Sequence, residues 1–162
     1  MAARILARDV PAPAERGGEE RTADRMEQLI RSRFGIYWRD DDPSILMAEF
    51  PSRWTMVEVY QVLDLMADQM DTGPTDQVVV FDLTDTHIPS DAPQHFRQLL
   101  SSRVIEHHAL RLVVVIVRKS RPVEVMVNIF NRLHQLFHDF PLLSVPTLPE
   151  ALEAIARFRA DN

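Results

Sequence analysis

A mainly parallel α/β fold is predicted by three features of the sequence. Two short runs, 78–81 (Val-Val-Val-Phe) and 112–117 (Leu-Val-Val-Val-Ile-Val), are apolar throughout and rich in β-branched residues. Runs apolar on both faces, at that length, fit strands buried in the middle of a sheet. Segments of helical periodicity lie between and after them. Turn and cap residues punctuate the joins, so strands alternate with helices, and such alternation implies parallel strands with right-handed crossovers. The predicted order is β-β-α-β-α-β-α-β-α, with about five strands in a mixed sheet and about four helices.

Taken in order, residues 1–25 hold five Arg and five acidic residues and show little apolar periodicity. They are expected to form a disordered tail, beginning to order as a short helix near 23–33. They lack the apolar core of a signal peptide and are too acidic for a transit peptide. Met26 is an alternative start. The single folded domain is expected over 26–160. Residues 34–39 and 45–50 predict two strands around the turn Asp40-Asp41-Asp42-Pro43-Ser44, hence an antiparallel hairpin.

Thr55 and Glu58 have capping-box spacing, and Trp54 and Val59 fall at the staple positions. The first predicted helix therefore runs over 56–71. Its inward face is Met56, Val59, Tyr60, Val62, Leu63, Met66, Ala67 and Met70, with Val57 and Leu65 on the polar side. Gly73-Pro74 ends it. The strand 77–83 follows, then a polar loop, then a helix over 91–107 with Ser90 at its start. Pro93 is tolerated there only in a first turn. Its narrow apolar face is Phe96, Leu99, Leu100 and Val104.

After the 112–117 strand comes the loop Arg118-Lys119-Ser120-Arg121, and Pro122 opens a third helix that ends before Pro141. Its apolar arc is broad: Val125, Met126, Ile129, Phe130, Leu133, Leu136, Phe137 and Phe140. Such a width suggests a face for a second copy of the chain, a homodimer. Residues 142–145 predict a short strand. Thr147 and Glu150 repeat the capping-box spacing before a last helix to about Arg159, with Leu152, Ile155, Ala156 and Phe158 as packing residues.

The composition excludes several classes of function. The chain of 162 residues is long enough for one domain with a core. A net charge of −6 argues against a general nucleic-acid binder. No apolar run approaches the ~20 residues of a membrane span. There is no cysteine, which removes disulfides, thiol catalysis and thiolate metal sites and fits a reducing cytoplasm. The four glycines, Gly17, Gly18, Gly35 and Gly73, cannot build a P-loop or a dinucleotide fingerprint. No cofactor is expected.

Metal sites fare no better. The aspartates at 40–42 lack the ligand alternation, Gly and Glu of a calcium loop. His134 and His138 have the spacing of half a zinc site but no HExxH pattern, and the neighbours His107 and His108 cannot share one metal from a helix. Both pairs read as boundary histidines. Ser90 and His87 are only three residues apart and no nucleophile elbow is present, so no catalytic residue is assigned and an enzyme is not expected.

The hairpin, the strand ending Phe81-Asp82-Leu83, a serine before the next helix, the 112–117 strand and the terminal Pro-Glu-Ala-Leu-Glu-Ala helix together resemble the STAS or anti-sigma-factor antagonist family. The likeness is closest to its divergent bacterial relatives, over roughly 34–159. That resemblance implies a STAS-like fold and a non-catalytic regulatory module that binds a kinase or other regulatory protein. It also implies that Ser90 is the phosphoacceptor. Here the serine stands in Pro89-Ser90-Asp91-Ala92-Pro93, with a carboxylate beside it and no glycine. Read from the residues alone, Ser90 is an N-cap.

Ligands of open α/β sheets favour the carboxyl ends of the strands. Two loops should meet there and offer Asp82, Thr84, Asp85, His87, Ser90, Lys119, Ser120 and Arg121 as a ligand or partner edge. The alternative function is a small-molecule or lipid-binding protein with a cleft between helix and sheet.

Overall fold

A computed structural model describes residues 16–162, with side chains from Glu19 onward. Its elements are α1 (Arg16–Arg33), β1 (Gly35–Trp38), β2 (Ile45–Glu49), α2 (Met56–Asp71), β3 (Gln77–Asp82) and a 3₁₀ turn (Ala92–His95). There follow α3 (Phe96–Leu100), β4 (Leu110–Ile116), α4 (Arg121–Phe137), β5 (Leu142–Val145) and α5 (Leu148–Asp161).

Within these residues the strands form one five-stranded sheet in the order β1-β2-β3-β4-β5. β1 is antiparallel to β2, and every other pair is parallel. Side chains alternate between the two faces of a strand. Leu46, Ala48, Val79 and Val113 belong to the core shared with α1, α2, α3 and α4. Ile45, Met47, Val78, Val80, Leu112, Val114 and Ile116 face the other way, into a core closed by Ala151 and Ile155 of α5. Burial on both faces is why β3 and β4 read as unbroken apolar runs.

Of the helices, α2 buries the most side chains among the described residues. Thr55 Oγ1 accepts from Glu58 N–H at 3.3 Å, and Glu58 Oε2 accepts from Thr55 N–H at 2.8 Å. Two first-turn donors are thereby satisfied. The side chains of Met56, Val59, Val62, Leu63, Met66, Ala67 and Met70 are buried as the periodicity predicts, and Tyr60 is half-buried. Each fully buried aliphatic side chain in this row contributes roughly 1.5–3 kcal/mol. α1 packs on α2 through Ile30 and adds an Arg33–Glu58 ion pair.

Arg159 of α5 reaches across to Asp42 and Ser44 in the β1–β2 turn. Its guanidinium holds the Asp42 carboxyl down to about 2. The aspartate turn is thus a structural tie between hairpin and α5.

Five expectations are corrected. Helix α1 begins at Arg16, ahead of the expected 23, so 16–25 are helical; the rest of the expected tail, 1–15, lies outside the described residues. The helix expected over 91–107 is only a 3₁₀ turn and the five-residue α3, followed by turns. After Leu100 the backbone closes tight turns, with Ser102 N–H donating to the Leu99 carbonyl at 3.1 Å and His107 N–H to the Val104 carbonyl at 3.2 Å, and Val104 and Ile105 are both buried. Leu65 packs against the core instead of standing on a polar side. On α5, Ala151 is buried and Ala156 is exposed. Finally, α4 stops at Phe137, short of the expected end at Pro141, so Phe140 lies outside the helix.

Candidate functional site

Helix α4 stands off the sheet. His134 is its only fully buried side chain; Met126, Phe130 and Leu133 are half-buried against the core. Beneath it lies a cleft of about 150 Å³. Its floor is Phe81 of β3, Val113 and Val115 of β4 and Leu142 of β5. Its roof is Met126, Val127 and Phe130, and its inner end is closed by Phe96, Leu99, Ser102 and Ile105. Trp54, Leu83, Ile88 and Val117 form the outer end.

Ser102 is the only residue with a polar side chain in this lining apart from the Trp54 indole. The Ser102 hydroxyl is buried and has no hydrogen-bond partner among the described residues. The indole N–H of Trp54 is already committed to Thr86 Oγ1. A group that entered the cleft would therefore meet carbon almost everywhere.

The far end of α4 is tethered by the two histidines. His134 Nε2–H donates to the Phe140 carbonyl at 2.8 Å, and His138 Nε2–H donates to the Leu100 carbonyl at 2.9 Å. Their rings stack at 5.1 Å. Both Nε2 atoms being engaged, the pair ties α4 to α3 and to the chain before β5. No group of three or more metal-ligating side chains occurs among the described residues. Burial, with the charge of His138, pushes the His134 imidazole below its ordinary value.

At the carboxyl edge of the sheet the two loops do come together. Arg118 Nη2 donates to Asp85 Oδ1 at 2.8 Å. Thr84, Asp85 and His87 share a recess with Arg118, Ser120 and the first turn of α4. The loop after β3 is held in place by His87 N–H to the Ser52 carbonyl (2.9 Å) and by the Trp54–Thr86 bond. Asp82 is turned to local work: its Oδ1 accepts from Thr84 N–H at 3.0 Å, closing the turn. Ser120 takes the N-cap position of α4 without a side-chain cap bond. Lys119 and Arg121 are exposed. Lys119 borders a second groove, beside β5, and Arg121 lines neither space.

No family model matches the chain, and comparison with curated proteins and with solved structures returned no significant match.

Ser90 is not where the sequence placed it. It lies exposed in a turn; the cap position before the 3₁₀ turn is Asp91, with no side-chain cap bond, and α3 is capped in position by His95. The helix start that would favour a phosphate at Ser90 is absent, because the segment folds as a 3₁₀ turn around Pro93. The sequence assigns none of Arg118, Trp54 and Ser102 to a site. Arg118 adjoins the basic loop and was within reach of it. Nothing local marks Trp54 or Ser102 as cleft residues, because the cleft is made by elements distant in sequence.

Proposed function

We propose that the protein is a non-catalytic binding module that holds a small apolar group between α4 and the sheet. The observation that carries this reading is the cleft, about 150 Å³ and lined by carbon except at Ser102 and the indole edge. A dry apolar space of about this volume accommodates a benzene-sized group. Preformed apolar pockets with few polar groups are where small ligands bind.

Titration with benzene tests it, followed by tryptophan fluorescence; of the two tryptophans, Trp54 stands in the cleft wall. Saturable quenching or enhancement and a rise in Tm are expected. Val115→Phe, which fills the floor, should abolish the response while the far-UV circular dichroism stays unchanged. A wild-type response that persists in Val115→Phe would place the binding elsewhere and end this reading.

The regulatory, protein-interaction reading has a separate support. Val125, Ile129, Leu136 and Phe137 are 59%, 45%, 74% and 61% exposed. A helix with that much apolar surface outward suits a second copy of the chain or a protein partner. The strand and helix order from β1 to α5 is also the one that the STAS resemblance implies. Sedimentation of the wild type should show concentration-dependent dimerisation, reversed by Ile129→Asp. Monomer alone at high concentration would remove the homodimer from this reading.

A further inference from the structure

We propose that the cleft is selective for a phenol: an uncharged, benzene-sized ring whose single hydroxyl bonds to Ser102 Oγ. The inference rests on the apolar-cleft reading and adds the ligand's one polar group. Four buried side-chain atoms have no hydrogen-bond partner among the described residues: Gln77 Oε1, Ser102 Oγ, Asn131 Oδ1 and His134 Nδ1. Of these residues only Ser102 lines the cleft. A hydroxyl carries one donor and two acceptor sites, and burying it unpaired is costly. Native folds pair the large majority of such atoms, and a ligand hydroxyl in the cleft supplies the partner.

The rest of the lining decides what that hydroxyl is attached to. Phe50, Trp54, Phe81, Phe96 and Phe130 give the wall five aromatic side chains. Phe96 and Phe130 stand edge to face with centroids 5.1 Å apart. Rings favour such edge-to-face neighbours, so the wall suits a further ring. Among the described residues no charged side chain and no histidine lines the cleft. An ionised ligand would lose its hydration there with no counter-charge to replace it. The Trp54 indole N–H is already bonded to Thr86 Oγ1, which leaves Ser102 to serve one polar group on the ligand. The backbone holds Ser102 in place: its N–H donates to the Leu99 carbonyl at 3.1 Å, and its carbonyl accepts from Glu106 N–H at 3.0 Å. The turns after α3 thus fix the residue before any ligand arrives.

Benzene and phenol differ by one hydroxyl, and phenol, with the tyrosine side chain's pKa of about 10, is uncharged at pH 7. Their affinities for the full-length wild type and for Ser102→Ala, measured by calorimetry at pH 7, test the proposal. The wild type is expected to bind phenol about 5-fold tighter than benzene. In Ser102→Ala phenol should bind about 20-fold more weakly than in the wild type and fall below benzene, while benzene stays within about 2-fold. The Tm of the variant should not drop, because the substitution removes an unpaired buried hydroxyl. Phenol binding more weakly than benzene in the wild type would overturn the hydroxyl assignment and leave the apolar cleft standing. A phenol-to-benzene ratio unchanged in Ser102→Ala would overturn the assignment to Ser102. Binding of neither compound would overturn both readings.

Discussion

His134→Ala is expected to lower the unfolding free energy by about 3 kcal/mol. The side chain is 2% exposed, and it is the only fully buried one on α4. Its loss leaves the Phe140 carbonyl without its donor and opens a void where the ring packs at 4.7 Å from Phe140. Loss of this part-buried hydrogen bond costs about 1 kcal/mol, and the void adds about 2 kcal/mol. Urea unfolding should show a lower midpoint with an unchanged slope. A loss under about 1 kcal/mol would show that α4 does not depend on this anchor.

The same residue sets a pH dependence. An unfolded histidine titrates near 6.5, and burial, reinforced by His138, holds His134 below that value in the fold. Between the two values the unfolded chain binds more protons than the folded one. The contribution of His134 to stability is therefore complete above about pH 6.5. It is lost as the pH falls from there through the folded value. His134→Ala should flatten this decline; an equally steep decline in the variant would assign it to other groups.

Gly73→Ala is expected to cost about 2 kcal/mol and to lower Tm by roughly 4–8 °C. A Cβ on Gly73 would stand 2.7 Å from Trp38 Cζ2, 2.9 Å from Trp38 Cη2 and 2.8 Å from Gln77 Nε2. None of these neighbours yields easily. Gln77 is fully buried, and its Nε2 donates to the Met70 carbonyl at 2.9 Å and the Pro74 carbonyl at 2.6 Å. The Trp38 indole packs as a rigid plate against the core at the edge of β1. Alanine would regain about 0.4–1 kcal/mol from a less flexible unfolded chain, too little to offset the overlap. The glycine is needed for this close approach, since its φ is not positive. A melting temperature equal to the wild type's would show that the Trp38 ring moves aside at no cost.

Some elements were legible because their causes are local. The start of α2 follows from Thr55 and Glu58, one turn apart, and its end from Gly73-Pro74. The interior strands follow from runs that are apolar on both faces. The meeting of the two loops at the carboxyl edge follows from parallel strands whose loops emerge on one side; Arg118 and Asp85 join there.

The segment after β3 failed for the converse reason. The spacing of Phe96, Leu100 and Val104 permits a helix to His107, but the backbone turns after Leu100 so that Val104 and Ile105 are both covered, and only packing reveals that. Ser90 lost its cap role with that helix.

What the sequence determined by itself, then, is most of the elements and the two-faced sheet, because periodicity, caps and turn chemistry act within a few residues. What the tertiary structure decided is how close α4 sits to that sheet. The helical wheel shows an apolar arc from Val125 to Phe137 but not how much of it is covered. That depends on the reach of Met126 and Phe130 toward β4 and on the tether of His134 and His138 to carbonyls elsewhere in the chain. These are contacts between distant residues, and the cleft exists only as the space they leave.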